Sequence, residues 1–213
     1  MAGPTILSFQ HSCHPSGTIL CFKLPQKCPV CWKSLSSYPL KAPPVRYPPV
    51  LQSSSSHPYS VIIKPTRGTF LGDYKNGDNL HCGVTDSKGF LCHFNEQGIH
   101  YDSSSWHQSL VIPLLHESDI LLTENWDHHL IQIIKRADWT SERYVELGHN
   151  CFDFVVAFLN SINYNYLKNG SNSLLSRQLL INEFILPTTS KAVKYIHLLK
   201  SIQAKGFLLQ LNE

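Results

Sequence analysis

The segment Leu80-His81-Cys82-Gly83-Val84-Thr85-Asp86-Ser87-Lys88-Gly89-Phe90-Leu91-Cys92-His93-Phe94 restricts the fold more than any other part of the chain. Asp86 to Gly89 suits a type I turn with Gly89 left-handed, the three-residue hairpin loop with a glycine bulge, which pairs Asp86 with Phe90. Residues of like parity then share a face. The even face is Leu80, Cys82, Val84, Phe90, Cys92 and Phe94, all apolar, and belongs against a core. The odd face is His81, Gly83, Thr85, Leu91, His93 and Asn95. Gly83 falls opposite His93, so His81 is a diagonal neighbour of His93; two imidazoles can converge there, with Gly83 leaving room between them. The plainer alternative is that the odd face is the solvated side of a half-polar hairpin.

Around this hairpin, strands are predicted over 61–64, 69–74 and 109–114, and helices over 119–135, 151–162, 173–184 and 190–205. Antiparallel strands followed by helices predict an α+β domain over 59–213, a sheet packed against helices. Residues 1–35 read as a small cysteine-rich ribbon, and 36–58, rich in Pro, Ser and Tyr, as a linker or long loop. No run approaches a membrane span of roughly 20 apolar residues. Residues 1–9 lack the basic-then-apolar order of a signal peptide, and the expected location is cytoplasmic or nuclear. With a net charge of only +3 and its lysines and arginines scattered, the chain does not suit nucleic acid.

Asn150 is a good N-cap residue, which sets Cys151 at the first position of a helix. The partial positive charge there favours thiolate over thiol, and a histidine alongside would activate it further. Asp153 in the same turn opposes this. Cys151 also continues the apolar stripe Phe154, Val155, Phe158, Leu159 and Ile162, so the alternative is a small core residue. His149 is either a second polar group at the site or an exposed residue beside the cap.

Seven cysteines, four of them within the first 31 residues, suggest thiols or a metal in preference to disulfides in a reducing compartment. Cys28 and Cys31 have the spacing of a metal knuckle. A second pair would come from Cys13 with His11 or His14, or from Cys21; on an extended strand His11 and Cys13 would point the same way. A structural zinc on Cys28, Cys31, Cys13 and His11 would explain how so short a ribbon holds together. The alternative is reduced thiols packed on the main domain.

A strand histidine in His81-Cys82-Gly83-Val84, a second histidine at His93 and an Asn150-Cys151 helix start resemble a circularly permuted papain-like fold, that of the lecithin:retinol acyltransferase-like enzymes and, more loosely, the deSUMOylating isopeptidases. The resemblance implies Cys151 as nucleophile, His81 as general base, His93 as the orienting group and helix-start amides as oxyanion donors. Phe9-Gln10-His11, the Cys-Pro-Val-Cys of residues 28–31, the Lys-Pro-Thr-Arg-Gly-Thr-Phe of 64–70, the Ile-Pro-Leu-Leu of 112–115 and His149-Asn150-Cys151 are in addition similar to the makorin-2 opposite strand protein family. Two functions are expected. The first is a non-catalytic scaffold with a papain-like shell, binding a protein partner through the ribbon and the Pro/Ser-rich segment; Asp153 and the apolar stripe favour it. The second is a cysteine hydrolase or acyl/isopeptide transferase using Cys151, His81 and His93.

Overall fold

A computed structural model describes residues 4–38, 40–75, 77–102, 106–115 and 120–211, the side chains of 120–122 excepted. It forms two compact units, one of residues 51–192 and one of the segments before and after them. The second starts with β1 (Leu7–Phe9), β2 (Gly17–Cys21) and β3 (Val45–Arg46), where β1 pairs antiparallel with both others. Phe9, Ile19, Cys21 and Cys28 make its buried apolar cluster. The chain between β1 and β2 is not extended: His14 N–H donates to the His11 carbonyl at 3.1 Å and Gly17 N–H to that of His14 at 3.1 Å, consecutive turns where Pro15-Ser16-Gly17 stands.

The unit of residues 51–192 contains β4 (Leu51–Gln52), β5 (Ser60–Pro65), β6 (Leu80–Thr85), β7 (Leu91–Asn95), β8 (Gly98–Asp102) and β9 (Ser109–Pro113) in one antiparallel sheet, ordered β4-β9-β5-β6-β7-β8. Within residues 36–58 the structure forms β3, β4 and a 3-10 turn, Ser54–Ser56, and the hydroxyl of fully buried Ser54 accepts the Trp106 amide at 2.9 Å. Residues 69–74, predicted as a strand, form a turn instead. Asp73 Oδ2 accepts the Thr69 amide and Thr69 Oγ1 that of Gly72, side-chain bonds that compete with a strand ladder. Strand β8 is an addition to the sequence reading.

Helix α1 (Ile120–Ile134) buries Trp126, Leu130 and Ile133; the Trp126 indole donates to the Thr85 carbonyl at 2.9 Å and meets Phe158 edge-on at 4.7 Å. Helix α2 (Cys151–Ser161) buries Cys151, Phe154, Val155, Phe158 and Leu159 and packs on β6 and β7. Phe154 and Phe158 are wholly enclosed, and each stabilises the packing by about 2 to 3 kcal/mol. Helix α3 (Tyr164–Asn169) was not expected from the sequence. The two helices predicted over 173–184 and 190–205 are one helical run: α4 (Arg177–Leu180), a π turn over Ile181–Ile185, and α5 (Leu186–Lys205). In the π turn Leu186 N–H reaches back to the Ile181 carbonyl, a widened turn that lets the helix continue through Pro187, which has no amide to donate.

Gly206, at φ +80°, ends α5, its amide bonded to the Ile202 carbonyl at 2.7 Å. The chain then forms β10 (Phe207–Leu211), which pairs antiparallel with β2 and completes a four-stranded sheet ordered β10-β2-β1-β3. The protein is therefore α+β. No helix among the described residues is long and apolar enough to cross a membrane.

Candidate active site and candidate metal centre

The hairpin of β6 and β7 has the register that its turn chemistry dictates. Gly83 pairs with His93, Val84 with Cys92 and Thr85 with Leu91; Asp86 N–H donates to the Phe90 carbonyl at 2.9 Å, and Gly89 has φ +83°. Cys82, Val84, Cys92 and Phe94 are wholly buried on the even face, while Phe90 is partly exposed. The odd face is covered, not solvated: Trp106 packs with Ile62 and Leu91 and lies against both histidine rings, at 5.2 Å from His81 and 4.9 Å from His93.

The two imidazoles meet. His81 Nε2 and His93 Nδ1 are 3.0 Å apart, with the rings edge to face. A Cβ on residue 83 would lie 2.6 Å from the Cys92 carbonyl oxygen and 2.9 Å from His93 Cβ, so this approach requires glycine. His93 Nε2 faces Asp102 Oδ2 at 3.5 Å, and the His100 ring stacks on His93 at 5.0 Å. Burial, together with the neighbouring His81 and His100, lowers the pKa of His93 to about 4 against the pull of Asp102, so this ring is neutral at neutral pH. Asp102 and His100 arrive on β8. The signal for them was the turn between Asn95 and Gly98, which brings Leu91 opposite Asp102 and His93 opposite His100.

Helix α2 delivers the sulfur. Asn150 Oδ1 accepts the Phe152 amide at 3.0 Å, and Asp153 Oδ2 accepts the Asn150 amide at 2.8 Å, a reciprocal cap that sets Cys151 at the first helical position. The ladder between β6 and β7 stops at Gly83, and α2 packs on both strands with Cys151 at its head. The thiol and amide of Cys82 and the side chain of His81 are near enough to the Cys151 sulfur to stabilise its charge. With Nε2 of His81 engaged by His93, Nδ1 is the nitrogen left for the sulfur. The Cys82 thiol, and after it His81, lower the pKa of Cys151 to about 5 in spite of burial. Cys82 itself is pushed upward, first by burial and then by its bond to Cys151, and stays a neutral donor.

Asp153 does not face the sulfur as a bare charge. Its carboxylate is held by the Asn150 amide and by the Arg177 guanidinium, whose Nε lies 3.0 Å from Oδ1. His149 is set apart from the sulfur: it stacks on Trp139 at 4.6 Å, and its Nε2 is 2.8 Å from the Asp138 carbonyl. Among the helix-start amides, those of Phe152 and Asp153 are taken up by Asn150, so Cys151's own amide is the donor that the helix start can offer. A cavity of about 400 Å³ opens here, with His81, His93, Cys151 and Lys64 in its wall. Lys64 lies 4.6 Å over the Trp106 ring, and burial lowers its pKa.

In the other unit, His11, Cys13, Cys28 and Cys31 bring four ligand atoms within 4.8 Å of one another, a group able to hold a metal ion. His11 Nδ1 lies 3.0 Å from the Cys13 sulfur and 3.6 Å from that of Cys31, and the Cys13 and Cys28 sulfurs are 3.6 Å apart. Strand parity is not the cause, since both His11 and Cys13 lie in the turns after β1. The knuckle closes with Trp32 N–H on the Cys28 carbonyl at 2.8 Å and Cys28 N–H on that of Lys33 at 2.9 Å; Trp32 has φ +63°. The Lys33 amide bonds the Cys31 sulfur and lowers its pKa. Cys21 is apart from the group, in the buried apolar cluster, and so is His14, beside Gly17.

These features define an α+β protein with a buried thiol beside a histidine pair and a separate Cys3His cluster. Residues 44–202 match the DUF4796 C-terminal family, and the chain belongs to it. It is 30% identical over 206 residues, 97% of its length and 89% of the relative's, to MKRN2 opposite strand protein of Homo sapiens, so the likeness carried by the short motifs extends along nearly the whole chain. No solved structure matches the chain.

Proposed function

We propose that this protein is a thiol hydrolase or acyl/isopeptide transferase with a permuted papain-like architecture, in which Cys151 is the nucleophile, His81 its acid–base partner, and His93 and Asp102 orient His81. The observation that carries this reading is that Cys151, His81 and His93 share the wall of one open cavity, with His81 Nε2 3.0 Å from His93 Nδ1 and Asp102 3.5 Å beyond His93. The thiolate attacks the carbonyl carbon of an ester, thioester or isopeptide bond. The C–S bond forms as the carbonyl π electrons move to oxygen, where the Cys151 amide stabilises the charge. His81 gives its proton to the leaving group as the old bond breaks, then takes one from water, or from an acceptor amine or hydroxyl, which releases the acyl group and restores the thiolate. A neutral His93 accepts from His81 Nε2 and donates to Asp102, which fixes the ring of His81 as its charge changes. The scaffold favoured by the sequence rests on Asp153 opposing the thiolate and on the apolar stripe that Cys151 continues; Asn150 and Arg177 hold that carboxylate, and Cys151, though buried at the head of the stripe, reaches the cavity wall. Seven free cysteines suit a reducing compartment, cytoplasmic or nuclear.

The test is alkylation by iodoacetamide at pH 7 under reducing conditions, followed by peptide mass spectrometry. Cys151 is expected to react well ahead of a simple free thiol, and Cys151→Ser to abolish that modification. A rate no greater than that of glutathione would refute the reading.

We infer that the Cys3His cluster holds a structural zinc. Three sulfurs and an imidazole are the donors that zinc prefers, and their spacing suits a tetrahedral ion. The one departure is Nε2 of His11, which is buried without a partner where a metal-bound histidine usually donates. Zinc there would draw four loop and turn residues into one unit. Protein purified without chelator is expected to contain one zinc per chain by elemental analysis, and Cys28→Ser to lose it; metal-free protein that unfolds at the same temperature would exclude a structural ion.

A further inference from the structure

Cys82 helps to hold Cys151 ionised but is not itself a reactant in the chemistry above. It is wholly buried on β6, Cys151 heads the helix packed on that strand, and the two thiols lie close enough for each to bear on the other's ionisation. Of the two sulfurs, that of Cys151 lines the cavity and Cys82 lies behind it. A small oxidant entering the cavity therefore meets Cys151 first, with a second thiol buried behind it. The other buried cysteine of the hairpin, Cys92, is on the neighbouring strand β7, opposite Val84 and Tyr101, and does not line the cavity.

We propose that Cys82 is a resolving thiol, and that hydrogen peroxide converts Cys151 and Cys82 into a reversible intramolecular disulfide that switches the site off and protects it from irreversible oxidation. The inference rests on the reading of Cys151 as a reactive thiolate. In the first step the thiolate attacks one peroxide oxygen, the O–O bond breaks, and hydroxide leaves, so that Cys151 becomes a sulfenic acid. In the second the Cys82 sulfur attacks that of Cys151, the S–S bond forms, and the departing hydroxide takes the Cys82 proton as water. Two thiols are oxidised and one peroxide is reduced to two waters. The disulfide is restored to two thiols by an external dithiol. Enclosure of Cys82 restricts its thiolate, so its proton leaves with the hydroxide in the second step.

The experiment treats the wild-type chain with a small excess of peroxide, digests it without reduction and reads the peptides by mass spectrometry, with iodoacetamide labelling at pH 7 measured before treatment, after it and after dithiothreitol. The expected result is a Cys82–Cys151 linked peptide, loss of Cys151 labelling, and its full return with dithiothreitol. In Cys82→Ala, or in Cys82→Ser should the alanine variant fold poorly, Cys151 is expected to pass to the sulfinic acid, and labelling does not return. A reactive Cys151 that yields a persistent sulfenic or sulfinic acid in the wild type overturns the resolving role alone. A Cys151 that does not label before treatment and forms no linked peptide overturns both this inference and the thiol-enzyme reading.

Discussion

In the His81→Ala variant, alkylation of Cys151 at pH 7 is expected to slow by about 10- to 100-fold. With its pKa lowered to about 5, the wild-type sulfur is ionised throughout the neutral range, so its rate should be level from alkaline pH to pH 6 and fall only as the pH drops through 5. The sign follows from the reacting species: protonation removes the nucleophile, and a lowered pKa moves that loss to lower pH. An ordinary thiol, with a pKa near 9.0, would be about one part in a hundred ionised at pH 7. Removing the imidazole leaves the Cys82 thiol and amide as donors while burial continues to oppose the charge. The midpoint is then expected above 7, with the rate still rising at pH 8. A variant whose midpoint stays near 5 would show that Cys82 alone holds the thiolate, and would remove His81 from the role of base.

Gly83→Ala is expected to lower the stability of the fold by about 3 kcal/mol and to weaken Cys151 labelling in the molecules that remain folded. The added methyl has nowhere to go. It would lie 2.6 Å from a backbone oxygen on the paired strand and 2.9 Å from the Cβ of His93, and the strand it sits on is paired on both sides. Relief requires β6 and β7 to separate, which moves His93 from its place 3.0 Å from His81. Urea unfolding followed by tryptophan fluorescence measures the first effect. An unchanged midpoint would mean that the hairpin is less tightly closed than these distances state.

The hairpin was legible because two independent local rules, turn chemistry and apolar alternation, specify the same register. The capped start of α2 was legible for a like reason, since Asn150 and Asp153 act within one turn of each other. Contacts made by residues far apart in sequence were not. Strand β8 presents His100 and Asp102 without an apolar alternation of its own, and its place is decided by pairing with β7. Arg177, which changes what Asp153 means for the sulfur, comes from a helix 24 residues further along the chain. Pro187 stood as a break between two helices, and the π turn before it removed the break. The four metal-site residues were named from the chemistry of their side chains, but their convergence depends on turns between β1 and β2 that strand parity cannot describe.

The sheet ordered β10-β2-β1-β3 carries a consequence for how the chain is made. Residues 51–192 lie between β2 and β10, so during synthesis the β2 edge is without β10 until all of that segment has been made. Throughout that interval an apolar strand edge is open to other chains. Ile19 and Leu20, both enclosed in the finished fold, lie on that strand. The burden of keeping the nascent chain from aggregating therefore falls on β2, and changes in β10 act on the same sheet. Completion of this sheet waits on a strand distant in sequence.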